Sequence, residues 1–135
     1  MGIDIVMRDV VFPKDKQASY DKYRYAAAVR SGGFLFVSGQ VGVDANGTAI
    51  TDPKAQFDQA FANLSDILSA AGCSFDDIVD VTTFHVGMYD HFDAFAAAKQ
   101  AAFPQPPFPN WTAVGVVNLA DPNLLLEIKV IAKLG

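Results

Sequence analysis

Fourteen of the fifteen acidic residues are aspartates, and the single glutamate, Glu127, sits in the most apolar stretch of the chain. In Leu124-Leu125-Leu126-Glu127-Ile128-Lys129-Val130-Ile131-Ala132, period-two alternation puts Leu124, Leu126, Ile128, Val130 and Ala132 on one side. Leu125, Glu127, Lys129 and Ile131 fall on the other. A carboxylate in such a strand is costly unless it is paired or reaches water. Two readings follow. Either Glu127 is half of an ion pair, with Lys129 or with another chain at a subunit seam, or it handles a proton or positions a water in a cleft between subunits.

Other chemistry-bearing residues are sparse. His85 and His91 have no acids at a fixed spacing and make a poor metal site, so His85 is expected to be packed or hydrogen-bonded. The one cysteine, Cys73, excludes a disulfide framework and a multi-cysteine zinc site, and between Gly72 and Ser74 it reads as a buried, inert thiol. Ser38-Gly39-Gln40 closes a predicted strand, where backbone N–H groups can meet a ligand. Ser38 lacks the Gly-x-Ser-x-Gly setting of a hydrolase nucleophile, and neither a P-loop nor Gly-x-Gly-x-x-Gly occurs.

The elements that must hold these residues are legible from turn and cap signals. Residues 24–30 read as a strand, Ser31-Gly32-Gly33 as a tight turn and residues 34–38 as a second strand. Residues 41–48, with Asp44, Asn46 and Gly47, read as a loop. Asp52 as cap, Pro53 at the first position and Gly72 as stop bound a helix over 53–71, with an apolar stripe of Phe57, Ala60, Phe61, Leu64, Ile67, Leu68 and Ala71. A strand is expected over 78–88. A helix after Asp90 is expected to bury Phe92, Phe95 and Ala96 and to end near Phe103. The proline-rich run 105–110 is a rigid connection, and strands at 111–119 and 124–134 follow, joined at Asp121-Pro122-Asn123.

The order ββαβαββ makes an α+β domain: one mixed sheet with two helices on one face, spanning residues 1–135 as a single domain. The strand at 78–88 carries Val79 and Val81 on one side and Ile78, Phe84, Val86 and Met88 on the other. That at 111–119 sets Trp111, Ala113 and Val117 opposite Val114 and Val116. Two helices cover one face only, so the other apolar face calls for an oligomer.

Composition narrows the function classes. The chain is 51% hydrophobic and 19% charged, which excludes disorder, and no apolar run approaches the roughly 20 residues of a membrane span. Net charge is −5 but uneven: residues 1–30 hold six Lys/Arg and four Asp, and residues 31–135 hold four Lys/Arg and eleven acids. No dense basic patch marks a nucleic-acid binder. The start, Met1-Gly2-Ile3-Asp4, resembles no secretory leader, and Val6 stands where a myristoylation signal needs Ser or Thr, so the cytoplasm is expected.

Several of these segments together resemble a known family. They are Phe36-Val37-Ser38-Gly39-Gln40, then Gln56 and Asn63-Leu64, then Ala70-Ala71-Gly72 and Asp77-Ile78-Val79, and finally Leu126-Glu127-Ile128-Lys129-Val130-Ile131-Ala132. Over residues 20–134 the chain resembles the Rid family (YjgF/UK114, also labelled L-PSP endoribonuclease and RutC-like). Phe108-Pro109-Asn110-Trp111-Thr112-Ala113-Val114-Gly115-Val116 points to its YjgH-like branch.

The resemblance implies a chorismate-mutase-like fold assembled as a homotrimer with a barrel-like core, helices outside, and a small-molecule cleft at each subunit seam. It also implies hydrolysis of reactive enamines and imines to ketoacids and ammonia, with no metal or cofactor. By position it makes Glu127 the water-orienting group, Tyr25 the cleft tyrosine and Ser38-Gly39 the cleft edge. Trp111 stands where the deaminases carry a carboxylate-gripping arginine, Ala113 where they carry a cysteine, and Ala96 approximately where they carry an asparagine. An indole cannot replace a guanidinium as a carboxylate clamp, so small iminopropanoate-type substrates are disfavoured. A non-catalytic trimer that binds or senses a metabolite is the alternative, and an endoribonuclease fits the acidic chain least.

Overall fold

The computed structural model describes residues 7–135; residues 1–6, on which the expectations about a leader and a myristoyl signal rest, lie outside them. The elements are β1 (Asp9–Val11), α1 (Gln17–Tyr23), β2 (Ala28–Ser31), β3 (Phe34–Val41), α2 (Pro53–Ala70), β4 (Ile78–His85), α3 (Met88–Ala102), β5 (Asn110–Gly115) and β6 (Leu126–Lys133). They build one six-stranded sheet of order β1-β2-β3-β6-β4-β5. All neighbours are antiparallel except β4 and β5, whose parallel pairing needs the α3 crossover. The fold is thus α+β with a mixed sheet, as expected, but with a strand and a helix added ahead of the predicted order.

Local chemistry explains most boundaries. Gly32 and Gly33 take φ of 60° and 84°, as a two-residue hairpin turn requires, and so connect β2 to β3. Asp52 accepts a hydrogen bond from the Ala55 N–H at 3.0 Å and Pro53 opens α2. On the far side of α2, Gly72 follows with φ 75°.

Other boundaries moved. The strand expected at 24–30 begins only at Ala28: α1 runs to Tyr23, Arg24 caps it in the left-handed region at φ 60°, and residues 25–27 are an irregular link. This helix has no apolar stripe to reveal it and is tied to the β1 end by the Phe12–Tyr20 stack, 4.9 Å between ring centroids. The three-residue β1 is visible only through its pairing with β2 and the Asp9–Arg30 salt bridge. β4 stops at His85 because Gly87, at φ 64°, caps α3, which starts three residues earlier than expected. β5 stops at Gly115, the register partner of His85, where its neighbour ends.

The core lies between one face of the sheet and the helices α2 and α3. Leu35, Val37, Val81, Ile128, Val130 and Ala132 face Phe57, Ala60, Phe61, Leu64 and Leu68 of α2 and Phe95 and Ala98 of α3. Two expected core positions are wrong. Phe92 is 48% exposed and Ala96 is exposed, because α3 turns Phe95 and Ala98 inward instead. Val79 is 43% exposed while Ile78 and Val81 are both buried: a register irregularity between Ile78 and Asp80 shifts the alternation by one residue.

On the opposite face Phe34 and Phe36 of β3 and Val114 of β5 stay 40%, 44% and 38% exposed. The register sets Phe36 beside Ile131, and Phe84 beside both Glu127 and Val114, on that same face.

Candidate functional site

β6 delivers the alternation read from its sequence: Leu126, Ile128, Val130 and Ala132 are buried in the core, and Glu127 projects, half-buried, from the other face. There it meets an irregularity in β3. The register with β6 runs evenly to Val37 and resumes at Gln40, leaving Ser38 and Gly39 in a bulge. The Glu127 side chain lies across the Cα of Gly39, where a Cβ would stand 2.6 Å from Oε2. The Gly39 backbone is not left-handed, so it is the carboxylate, not a turn, that requires glycine here. Among the described residues Glu127 has no salt-bridge partner, Lys129 included.

Ser38 fixes the edge of this site. Its N–H donates to the Ala27 carbonyl at 2.8 Å and its hydroxyl to the Ala26 carbonyl at 2.8 Å, so it holds the chain entering β2. Of the backbone N–H groups expected along Ser38-Gly39-Gln40 to meet a ligand, that of Ser38 is therefore taken.

Ser38 and Tyr25 line one hollow of ≈ 700 Å³, with Tyr20, Arg24, Arg8 and Val29 around them. Tyr25 and Ser38 are thereby brought together, while Glu127 meets Gly39, the next residue along β3. Arg8 and Arg24, which form no salt bridge among the described residues, were not singled out from the sequence. The positive balance of residues 1–30 was the only sign of them.

The remaining three expected site residues lie elsewhere. Trp111 pairs with buried Val81 and Ala113 with buried Thr83, so both belong to the helix-covered side of the sheet, opposite Glu127. Trp111 and Ala96 line a second hollow of ≈ 480 Å³ between α3 and the segment leading into β5. The Trp111 N–H donates to Thr83 Oγ1 at 3.0 Å. Its ring packs edge-on against Phe95 and Phe103, and Lys99 Nζ sits 4.2 Å from its centroid. Within one chain the two groups of residues do not form one pocket.

His85 is packed and hydrogen-bonded: Nε2 lies 2.7 Å from Thr83 Oγ1, and the Phe95 ring stands edge-on at 4.6 Å. An indole N–H only donates, so the Thr83 oxygen accepts from Trp111 while it also hydrogen-bonds His85 Nε2. Burial lowers the His85 pKa, favouring the neutral ring. Burial, with Asp77 second, pushes the Cys73 thiol up, away from thiolate chemistry.

Gln56, fully buried, donates to the Ile50 and Asn123 carbonyls at 2.8 and 2.9 Å and accepts from the Leu125 N–H at 2.7 Å, which locks the entry to β6. Among the described residues no cluster of His, Cys, Asp or Glu suits a metal ion, and no helix is long and apolar enough to cross a membrane.

The sequence profile of the family described as Endoribonuclease L-PSP matches residues 16–134. RutC family protein YjgH of Escherichia coli is 49% identical over 130 residues, which cover 96% of this chain and 98% of that one. A solved structure of protein YJGH superposes with a TM-score of 0.89 at 50% identity, over 96% and 98% of the two chains. The 2-iminobutanoate/2-iminopropanoate deaminase of Dermatophagoides farinae is 32% identical over 107 residues, 78% of this chain and 81% of that one. RidA from an Antarctic Psychrobacter shares 31% identity at a TM-score of 0.75, over 82% and 88%.

Proposed function

The chain belongs to the endoribonuclease L-PSP family, the family of the RutC and Rid proteins, and from that premise we propose that it is a cofactor-independent hydrolase of reactive imines or enamines. The observation that carries this reading is the Glu127 carboxylate, held over Gly39 with no salt-bridge partner among the described residues and one residue from the Ser38–Tyr25 hollow. A carboxylate so placed accepts a proton from a water as the water oxygen attacks the C=N carbon. The nitrogen takes up a proton, the C–N bond of the resulting aminoalcohol breaks, and a carbonyl compound and ammonia leave.

In this reading residues 1–135 act as one domain, in the cytoplasm, as a homotrimer with a cleft at each subunit seam. Support comes from the exposed Phe34, Phe36 and Val114 on the uncovered face. The placement of Glu127 and Trp111 on opposite faces adds to it: a ligand touching both needs a second copy. Small iminopropanoate-type substrates are turned over weakly, because Trp111 spends its one donor on Thr83 and offers a carboxylate nothing.

The test is ammonia release from a panel of freshly generated imines. Turnover lost in Glu127→Gln supports the hydrolase; tight binding with no turnover of any imine favours the metabolite-binding alternative. That alternative draws on the aromatic second hollow, which needs no carboxylate to hold a ligand. An endoribonuclease is disfavoured by the net charge of −5.

A further inference from the structure

Lys99 stands half-buried on α3 with its ammonium over the Trp111 ring, and among the described residues it forms no salt bridge. No acidic residue lines the hollow it borders. The rest of the lining is mainly aromatic, with Phe103, Phe92 and Phe108 (the last two 48% and 61% exposed), and Gln100 is its other polar side chain. Large rings left this open are unusual on a surface unless something covers them.

One unpaired cation set among aromatic faces is complementary to an anion with a flat apolar body. The ring of Trp111 takes one side of the ammonium, and the N–H donors on its other side are free for a carboxylate. A hollow of ≈ 480 Å³ suits a single aromatic ring with a short side chain, whereas an acetate-sized anion leaves the rings uncovered.

We propose that this hollow binds an aryl-substituted carboxylate, with Lys99 on the carboxylate and Phe103, Phe108 and Trp111 around the ring. Lys99 thus supplies, from a helix, the positive charge that position 111 lacks. The proposal rests on the hydrolase reading only for the reacting group, where it makes the substrate class an aromatic imino acid. Binding itself needs none of that chemistry.

Trp111 is the only tryptophan, so its emission reports on this hollow alone. Titration of the full-length protein with 3-phenylpropanoate is expected to give a saturable emission change, with 3-phenylpropan-1-ol binding about tenfold more weakly. Lys99→Met should bring the two affinities together, Lys99→Arg should keep the preference for the acid, and Phe108→Ala should weaken both ligands. Equal affinity for acid and alcohol in the wild type, an unchanged preference in Lys99→Met, or no saturable response to either probe overturns the proposal. The last of these outcomes includes a hollow already filled by a second copy of the chain. Ammonia is not measured here: a protein that binds the probe but releases no ammonia sinks the hydrolase and keeps this site. One that hydrolyses imines without preferring the acid does the reverse.

Discussion

The carboxylate of Glu127 occupies the space where residue 39 would carry its Cβ, 2.6 Å from Oε2 and far inside van der Waals contact. Glycine at one position and glutamate at the other are therefore a matched pair across β3 and β6. Gly39→Ala should destabilise the fold by ~1–3 kcal/mol through overpacking. In a Glu127→Ala background the same change should cost little, with a coupling of about 1 kcal/mol or more in a double-mutant cycle read by denaturant unfolding. Additive effects would show that the side chain does not lie there.

Glu127 and Lys129 share a face of β6 without pairing. Lys129 is exposed, so Lys129→Met should move stability by no more than about 0.5 kcal/mol. Glu127→Gln should keep the fold and lower turnover of a confirmed imine by roughly 100-fold or more. Matching stability losses in the two variants, with turnover intact, would make Glu127 structural.

The neutral, buried His85 predicts a pH dependence with a definite sign. Burial lowers its pKa from the ordinary 6.5. Below pH 6.5 the unfolded chain therefore binds the proton that the native state refuses. This contribution to stability is complete above 6.5 and is lost as pH falls toward the depressed folded value. Melting temperature should drop between pH 7.5 and 5.5, and His85→Asn should flatten that drop. A profile that stays the same in the variant would be evidence against the assignment.

Thr83 links Trp111 to His85 through one oxygen. Thr83→Val keeps the shape but leaves the indole N–H and the imidazole nitrogen without that partner. Chemical denaturation should show a loss of about 1–3 kcal/mol. A neutral substitution would mean that neither group depends on the hydroxyl.

The proposed homotrimer is checked by sedimentation equilibrium, with three times the 14.5 kDa chain mass expected. Phe36→Asp, on the uncovered face, should lower the mass. A single-chain mass for the wild type at micromolar concentration would refute the assembly.

Signals carried by neighbouring residues survived into the structure. The alternation of β6 put Glu127 opposite Leu126 and Ile128 because strand geometry is a two-residue property. Asp52, Pro53 and Gly72 bounded α2 because caps act within one turn. Weak local signals failed: the three-residue β1 exists only by pairing, α1 lacks an apolar stripe, and the irregularity at Val79 put Ile78 rather than Val79 on the side of Val81.

The site itself is mostly tertiary. The sequence alone determined that Glu127 leaves the core face and that position 111 carries no guanidinium. Only the folded sheet decided that the carboxylate rests on Gly39, since the bulge in β3 and the register of β6 must both be in place before the two meet. Only tertiary structure turned the Trp111 N–H to Thr83, through the register of β4 and β5, and set Lys99 over its ring, through the packing of α3. Side chains far apart along the chain become neighbours through strand register and helix packing, and no pattern of adjacent residues encodes those distances.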